Sequence, residues 1–402
     1  MKILIADKLA QTVISELDSM GCEVIFDPSL DGDVLRQTIA EVNPQAVVVR
    51  STRIAESHVR AGAGLTLIIR AGAGVNTIDL DAASARGVYV ANCPGKNAVA
   101  VAELTWGHIL NADRRIADNV EALRAGQWKK KTFSKGAQGM RGRTLGIIGL
   151  GAIGRAVLER GQAFGMSVVA FDPMLAELEA EAMGVTRVDS PAAVAAVSDV
   201  LTVHVGLSEA TKGFIDAEVL GALKPGSIFV NTSRGPVVDE EALAAAIRRG
   251  VKAGLDVFCG EPNSEGDWSN TLVQMPGVYG THHIGASTAE ATEAVGSEVV
   301  RIVRTFQETG EVPNCVNLAV QVHASHLLVI RHADQVGVLA GVLDALRQAE
   351  INVQEMENIV FRGAKAACAR IQVGRAPSAE LMAEIDNAPT VFAVDLVALE
   401  ES

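Results

Sequence analysis

The sequence predicts an α/β protein of three parts: two parallel sheets with helices on both faces, and a small C-terminal βαββαβ unit. Short apolar segments alternate with helical stretches in one series over residues 2–69 and in a second series over residues 144–279. Strands that alternate with helices form parallel sheets, because each helix returns the chain to begin the next strand in the same direction. After Pro313 the pattern changes, and this change marks the third part.

The first series begins the chain with four predicted strands and one predicted helix. The Val/Ile/Leu runs of its later strands do not alternate with polar residues, which is typical of strands that helices cover on both faces. The strands are predicted at residues 2–6, 23–26, 46–50 and 67–69, and the helix at residues 11–20.

The second series follows a long predicted helix at residues 97–110. Its strands are predicted at residues 145–148, 167–171, 200–205, 227–231 and 252–256. In the third part, apolar residues recur at helical spacing from Val338 to Leu346 and predict a helix there. The βαββαβ order is completed by strands at residues 326–330, 358–361, 366–373 and 391–396 and a short helix at residues 381–385.

The bulk composition indicates a cytoplasmic globular protein. The chain has 402 residues, of which 49% are hydrophobic, and its formal net charge of −13 disfavours nucleic acid and anionic membranes as partners. No apolar stretch reaches the length of a membrane span. Five scattered cysteines without a Cys-x-x-Cys pair indicate reduced thiols, and the spacing of histidines, cysteines and carboxylates predicts no metal site.

A glycine-rich segment directly follows the first strand of the second series. Gly149, Gly151 and Gly154 form a Gly-x-Gly-x-x-Gly pattern that encloses Ala152 and Ile153, and a helical run follows. The first glycine permits a tight turn, the second lets the backbone approach a pyrophosphate, and the third lets helix and strand pack closely. The free N–H groups at the start of the helix would face the phosphates. The segment therefore predicts a Rossmann-type dinucleotide site.

The residue that ends the next strand indicates which dinucleotide is bound. Asp172 follows Gly154 by 18 residues. A carboxylate at this place accepts hydrogen bonds from the ribose hydroxyls of NAD and would repel the additional phosphate of NADP. The next residues, Pro173 and Met174, offer no cation for such a phosphate. NAD is therefore the predicted cofactor.

Three polar segments follow the later strands of the second series. The first contains Arg234, the second contains Asp256 and Glu261, and the third contains the pair His282–His283. An arginine fork can bind a carboxylate at two points, and a histidine can exchange a proton near neutral pH. A glutamate bonded to the other imidazole nitrogen would fix the tautomer. Together these groups suit hydride transfer at carbon 2 of a small 2-hydroxy acid.

These segments resemble those of the D-isomer-specific 2-hydroxyacid dehydrogenase family, and the resemblance runs over nearly all of residues 1–315. Within the family, the branch that acts on D-3-phosphoglycerate is the most similar. The resemblance is carried by the three polar segments and by residues 70–76, Asn92-Cys93-Pro94, Asn97 and Val101-Ala102-Glu103-Leu104.

The resemblance implies a catalytic role for each of the polar residues. Arg234 would bind the substrate carboxylate, His283 would act as acid and base with Glu261 as its partner, and Asp256 would support the site near the nicotinamide. Of the two adjacent histidines, His283 is preferred over His282 because it directly precedes the family motif that begins at Ile284.

Further substrate contacts are expected in the first part of the chain. The resemblance implies Gly74, Val75 and Asn97 as substrate-binding residues. Arg50 and Arg70 follow predicted strands and could hold a substrate phosphate, and an ordinary surface charge is the alternative for both.

The resemblance also implies a discontinuous substrate-binding domain with a flavodoxin-like fold, formed by residues 1–97 and 284–316. The Rossmann-type NAD-binding domain, residues 98–283, would be inserted between these segments. Residues 323–402 would form an ACT-like domain, and assembly as a homodimer or homotetramer is expected.

Two other functions stay open at this point. One is a dehydrogenase of another D-2-hydroxy acid, such as glyoxylate, hydroxypyruvate or a sulfonated or phosphonated acid. The other is a non-enzymatic NAD-sensing corepressor of the same fold, because such a protein can retain all three catalytic residues.

The C-terminal unit resembles an ACT domain, a module that commonly binds amino acids at paired interfaces. The candidate effector residues are His332, Asp334 and Asn352, with Gly337 in the first strand–helix turn. Their polar groups would suit a zwitterion such as L-serine. A domain that serves only the assembly of subunits is the alternative.

Overall fold

The computed structural model describes residues 1–262, 265–319 and 324–399 and divides into two compact units, Met1–Asn317 and Leu318–Ser402. His323, at which the ACT-like domain is predicted to begin, and the three C-terminal residues lie outside the described residues. None of the described helices is long and apolar enough to cross a membrane.

The chain begins with a five-stranded parallel sheet of strand order β2-β1-β3-β4-β5. Every strand runs parallel to its neighbours, as the alternation of strands and helices predicts. This order is the flavodoxin-like one, so the predicted fold of this region is confirmed. Its elements are β1 (Lys2–Ile5), α1 (Gln11–Ser19), β2 (Glu23–Phe26), α2 (Gly32–Val42), β3 (Ala46–Val49), α3 (Glu56–Ala61), β4 (Leu67–Arg70), α4 (Leu80–Ala85) and β5 (Tyr89–Asn92).

Three helices lead into a second parallel sheet of strand order β12-β11-β10-β9-β6-β7-β8. From β6, successive strands are added on one side as β7 and β8 and on the other as β9 to β12. This is the arrangement of a Rossmann-type fold, so the predicted fold is confirmed. Its elements are α5 (Ala98–Arg114), α6 (Ile116–Arg124), α7 (Lys130–Phe133), β6 (Thr144–Ile148), α8 (Ala152–Ala163), β7 (Ser167–Phe171), α9 (Glu177–Ala182), β8 (Thr186–Arg187), α10 (Pro191–Val197), β9 (Val200–Val203), α11 (Ala217–Ala222), β10 (Ile228–Asn231), α12 (Glu240–Arg248), β11 (Lys252–Leu255) and β12 (Val278–Gly280).

The chain then returns to the first sheet through a long helix, α13 (Ala289–Thr309). Val295, Val299 and Ile302 recur at helical spacing on one face of α13 and share a hydrophobic core with Ile3 and Ile5 of β1. The return brings the loop before α13 beside the carboxyl ends of the first-sheet strands. The fold therefore places residues from both sheets around one cleft.

The C-terminal unit is a four-stranded antiparallel sheet of strand order β14-β15-β13-β16 with two helices. Its core joins Leu328, Ile330 and Ile371 of the sheet to Val342 and Leu346 of the first helix. The predicted βαββαβ order is confirmed. The elements are β13 (His326–Ala333), α14 (Val338–Gln348), β14 (Val353–Val360), β15 (Ala366–Val373), α15 (Ala379–Asp386) and β16 (Val391–Ala398).

Strands β5, β8 and β12 are missing from the prediction, and several predicted strands have other bounds. The strand predicted at residues 200–205 ends at Val203, where its pairing with β6 and β10 stops. The strand predicted at residues 358–361 begins at Val353, because the residues of this edge strand are mostly polar and exposed and give no apolar pattern. Strand β5 (Tyr89–Asn92) was not predicted, since its buried apolar run is only two residues long.

Candidate active site

The glycine-rich loop lies between β6 and α8 and has the conformation that its glycines permit. Gly149 has a φ of +90°, and a Cβ there would lie 2.9 Å from the backbone carbonyl of His204. A Cβ on Gly154 would clash with the carbonyl oxygen of Gly149. A Cβ on Gly151 would meet nothing within 4 Å, so the backbone at the start of α8 is open. This open helix start, together with Ala152 and Ile153 of its first turn, fits a dinucleotide pyrophosphate.

Asp172 lies directly after β7 and beside the glycine-rich loop. Its Oδ2 accepts a hydrogen bond from the Leu150 N–H at 2.8 Å, and its Oδ1 accepts one from the Met174 N–H at 2.9 Å. These bonds fix the carboxylate next to the start of α8. Each oxygen keeps a further lone pair for a ribose hydroxyl.

Arg234, Glu261 and His283 come together from three loops at the carboxyl edge of the second sheet. The Nδ1 of His283 lies 2.7 Å from Oε2 of Glu261, and Oε1 of Glu261 accepts the Phe258 N–H at 2.7 Å. Since the carboxylate accepts the Nδ1 proton, Nε2 of His283 is left to face a substrate. The imidazole is about half exposed, as a group that meets a substrate must be.

Glu261 is held in its ionised form. Burial raises its pKa, but the hydrogen bonds from His283 and Phe258 and the positive charge of Arg234 outweigh burial, so the pKa lies below its usual value. Burial lowers the pKa of Arg234, and the charge of Glu261 opposes that effect. The ionised carboxylate of Glu261 can accept the Nδ1 proton of His283 and so fix the orientation of the imidazole.

Asp256 organises the loop that carries His283. Its side chain is almost fully buried and accepts three hydrogen bonds, from the Thr281 hydroxyl at 2.6 Å, the Ile284 N–H at 2.9 Å and the Gly285 N–H at 2.8 Å. The His283 N–H also donates to the Asp256 carbonyl at 2.8 Å. A contact of Asp256 with the cofactor stays a prediction, because the observed partners of its carboxylate all belong to this loop. Thr281 was not among the predicted site residues, because only its place just before the two histidines distinguishes it in the sequence.

The two adjacent histidines have different surroundings. His283 has a φ of +52°, a left-handed backbone conformation that is uncommon for residues other than glycine. Glu261 is bonded to His283, and within the described ranges of the chain no hydrogen bond to the His282 side chain is found. The geometry therefore favours His283 as the acid and base.

Arg50, Arg70 and Asn97 line one small cavity with Ala286 of the His283 loop. Burial lowers the pKa of Arg70 to about 10, and the positive charges of Arg234 and Arg50 contribute to this shift. Across residues 1–262, 265–319 and 324–399, no salt bridge to these three arginines is formed. Converging guanidinium groups without a carboxylate partner are expected to bind an anion.

Gly74 leaves room for the carboxylate-binding arginine. A Cβ on Gly74 would clash with a guanidinium nitrogen of Arg234. The Val75 carbonyl accepts the Ile78 N–H at 3.0 Å and closes a turn in the same loop. Direct substrate contacts of Gly74 and Val75 stay predictions, whereas the need for a small residue at position 74 follows from the geometry.

Asp7 holds the loop that carries Arg50 and was not found in the sequence analysis. Its Oδ2 accepts the N–H groups of Arg50 at 2.6 Å and of Ser51 and Thr52 at 3.0 Å. Burial raises the pKa of Asp7, but these backbone bonds outweigh it and the pKa is lowered. Asp7 follows β1 directly, and this position at the carboxyl end of a parallel strand is the pattern that could have revealed it.

In the C-terminal unit, the structure does not bring the three candidate effector residues together within one copy. His332 is buried, and its ring nitrogens lie 2.8 Å from the Ala333 carbonyl and 3.1 Å from Oδ1 of Asn358. Asp334 follows β13 and is exposed. Asn352 precedes β14, whose first residue, Val353, pairs with Val373 of β15. Val373 in turn pairs with His326 at the start of β13, whereas His332 and Asp334 lie at the end of that strand. A ligand that touched both ends would need residues from two copies.

Comparison with known proteins agrees with this architecture. Residues 106–285 match the model of the family described as "D-isomer specific 2-hydroxyacid dehydrogenase, NAD binding domain". This span contains the glycine-rich loop and the three polar loops. The chain therefore contains the NAD-binding domain of that family.

Two curated relatives and one solved structure are similar to the chain. The D-3-phosphoglycerate dehydrogenase of Methanocaldococcus jannaschii is 37% identical over 321 residues, 79% of this chain and 60% of the relative. The hydroxypyruvate reductase of Thermotoga maritima is 41% identical over 284 residues, 70% of this chain and 89% of the relative. The crystal structure of an NAD⁺-bound 3-phosphoglycerate dehydrogenase from Entamoeba histolytica is similar with a TM-score of 0.66 and 26% identity, over 80% of this chain and 99% of that one.

The lengths of the matches differ between these relatives. The aligned region spans about three fifths of the first D-3-phosphoglycerate dehydrogenases but nearly all of the hydroxypyruvate reductase. An identity of 41% over most of a relative's length is enough to assign the family. The chain belongs to the D-isomer specific 2-hydroxyacid dehydrogenase family.

Proposed function

We propose that the chain is an NAD-dependent dehydrogenase that oxidises D-3-phosphoglycerate to 3-phosphohydroxypyruvate, the first step of L-serine biosynthesis. The observation that carries this proposal is the cluster of Arg50, Arg70 and Arg234 beside the His283–Glu261 pair. A 2-hydroxy acid needs one arginine for its carboxylate, and a phosphate at carbon 3 would occupy the other two.

The site residues account for the proton transfer and the orientation of the substrate. Arg234 holds the carboxylate at two points, which presents carbon 2 and its hydroxyl to Nε2 of His283. During oxidation His283 takes the hydroxyl proton and Glu261 stabilises the imidazolium that forms. Bound NAD⁺ would accept the hydride from carbon 2. In the reverse direction His283 returns the proton to the new alkoxide.

The choice of NAD over NADP is assigned to Asp172. In Asp172→Ser, the ratio of kcat/KM with NAD to that with NADP should fall by roughly tenfold to a hundredfold, since hydrogen bonds to a charged group contribute about 1.5–3 kcal/mol. Asp172→Asn keeps an acceptor for the Leu150 N–H and removes only the charge. Its ratio of kcat/KM with NAD to that with NADP should therefore lie between the ratios of the wild type and of Asp172→Ser. Wild-type activity that is equal or higher with NADP would refute the assignment.

The phosphate is assigned to Arg50 and Arg70. Each alanine variant should lower kcat/KM for 3-phosphoglycerate by roughly tenfold to a hundredfold, because a charged hydrogen bond is lost, and should change that for D-glycerate by less than about threefold. Arg53 is an exposed arginine on the same loop as Arg50, and Arg53→Ala is the matched control with no expected effect. Equal losses on both substrates would mean that these arginines are structural.

A second candidate is favoured by the length of one match. The hydroxypyruvate reductase relative aligns over 89% of its length, so reduction of hydroxypyruvate by the same groups is the alternative reaction. Hydroxypyruvate carries no phosphate, and its turnover would not depend on Arg50 or Arg70. The two arginine variants therefore separate the candidates as well.

Assembly and location belong to the same proposal. A homodimer or homotetramer is supported by exposed apolar side chains on α6 and the segment after it, including Ile116, Leu123 and Trp128, which is 81% exposed. A cytoplasmic location is proposed from the five scattered cysteines. Apolar side chains clustered at a surface are typical of subunit interfaces. The predicted helix at residues 97–110 is mostly buried in its own chain, so an interface would use α6 more than α5.

Regulation by L-serine is proposed for the C-terminal unit. Because His332 and Asn352 lie at opposite ends of the sheet, serine would bind between two copies and act on the rate without resembling the substrate. Millimolar L-serine should lower the initial rate of the wild type, and Asn352→Ala should abolish that inhibition. If serine has no effect, or if Asn352→Ala leaves its effect unchanged, the unit serves assembly alone.

A further inference from the structure

One buried face of helix α5 touches the loops that carry Arg234 and His283. Val101, Thr105 and His108 are spaced four and three residues apart, so their side chains lie on the same side of the helix. All three are buried. Thr105 and His108 are polar, and polar side chains at such positions need hydrogen-bond partners.

Thr105 contacts the loop of the carboxylate-binding arginine. Its hydroxyl donates to the Val101 carbonyl at 2.8 Å and lies 2.9 Å from the Thr232 hydroxyl. Since the Thr105 proton is already used, Thr232 must donate the second bond. Thr232 lies two residues before Arg234, so this bond fixes the start of the arginine loop.

His108 contacts the loop of the proposed acid and base. Its Nε2 lies 3.0 Å from the Thr281 hydroxyl, which donates its own proton to Asp256 at 2.6 Å. The hydroxyl oxygen must therefore accept a proton from Nε2 of His108. Burial lowers the pKa of His108, with an opposing effect from Asp256, and a neutral ring with its proton on Nε2 satisfies every group in this chain of bonds.

Close packing leaves His108 little freedom to move. A Cβ on Gly254 of β11 would lie 2.5 Å from the Cβ of His108, so the histidine is pressed against the strand backbone. A Cβ on Gly285 would lie 3.4 Å from a methyl group of Val101 and 3.0 Å from Asp256. Helix α5 is therefore in close contact both with β11 and with the His283 loop.

We propose that His108 is a positioning residue of the hydride-transfer site, which holds the His283 loop in register through Thr281 and Asp256 while Thr105 holds the Arg234 loop. The catalytic part of this inference rests on the proposed function. A histidine that only filled space would be replaced well by leucine, which has no donor, and this difference makes the role measurable.

The test compares His108→Leu with His108→Gln, whose amide can donate to Thr281. In the leucine variant kcat should fall by roughly tenfold to a hundredfold with both KM values within about twofold, because a misplacement of about 1 Å costs on the order of a hundredfold in rate. The glutamine variant should recover most of the loss. Gly107→Ala, on the exposed side of the same helix, is the matched control and should leave kcat unchanged.

A second measurement does not depend on activity. Hydrogen exchange of the ligand-free protein should show faster exchange of the Ile284 and Gly285 amides, which bond to Asp256, in the leucine variant but not in the glutamine variant. If the leucine variant fails to fold, Thr281→Val removes the bond to His108 together with the bond to Asp256, and it should show the same faster exchange. Wild-type kcat and unchanged exchange in His108→Leu, or in Thr281→Val if the leucine variant does not fold, would overturn the proposal. Faster exchange in a protein that oxidises no hydroxy acid would support the positioning role and refute the proposed function.

Discussion

Replacing His283 with alanine is expected to lower kcat by roughly a hundredfold to ten-thousandfold, the usual contribution of a positioned acid and base. The reason is the bond between His283 and Glu261, which leaves Nε2 free to exchange the proton of the substrate hydroxyl. Steady-state rates in both directions, measured through NADH absorbance, check this expectation. NAD binding should change little, because the glycine-rich loop follows β6 and Asp172 follows β7, whereas His283 follows β12.

His282→Ala is the matched control for that experiment. The two histidines are adjacent and both exposed, but the observed hydrogen bond to Glu261 is made by His283. His282→Ala should retain kcat within about threefold, as is usual for a surface substitution away from a specific contact. If the effects of the two variants were reversed, the assignment of the acid and base would be wrong.

Replacing Arg234, the proposed carboxylate-binding residue, is expected to have the next largest effect on catalysis. Arg234→Gln should lower kcat/KM for the hydroxy acid by roughly a hundredfold to ten-thousandfold, because two hydrogen bonds to a charged group contribute about 1.5–3 kcal/mol each. Arg234→Lys keeps a charge but cannot bond at two points, so it should recover only part of the loss.

A Gly74 variant, compared with the Arg234 variants, tests whether position 74 must be small. Since a Cβ on Gly74 would clash with the Arg234 guanidinium, Gly74→Ala should displace the fork and resemble a mild Arg234 variant. Dissociation of NAD, followed by protein fluorescence, should be unaffected in all of these variants. An Arg234→Gln enzyme with normal kcat/KM would remove this arginine from substrate binding.

The local features of the site could be predicted from the sequence. The glycine-rich loop and Asp172 are set by neighbours close in the chain, so the pattern of residues alone indicated their positions. The parallel direction of the strands in the first two sheets followed from the alternation of apolar and helical segments, whereas their order within each sheet is seen only in the structure. Edge strand β14 was placed too short because its exposed polar residues carry no apolar pattern.

Contacts between distant segments could not be predicted. Asp7 and Arg50 are 43 residues apart, and His108 and Thr281 are 173 residues apart, so no local pattern joins them. His108 in particular had the pattern of an ordinary core histidine on an apolar helix. Only the packing of α5 against β11 and the His283 loop shows which hydroxyl its Nε2 meets.

The proposed substrate, D-3-phosphoglycerate, is tested most directly by one comparison of four hydroxy acids with the wild-type protein and NAD. NADH formation should be measured with 3-phosphoglycerate, D-glycerate, D-lactate and sulfolactate at equal concentrations. Because three arginines converge on the site, kcat/KM should be highest for 3-phosphoglycerate, by roughly a hundredfold to ten-thousandfold over D-glycerate if two arginines each contribute a charged hydrogen bond. A higher kcat/KM for an acid without a phosphate, or no NADH with any of the four, would contradict the account.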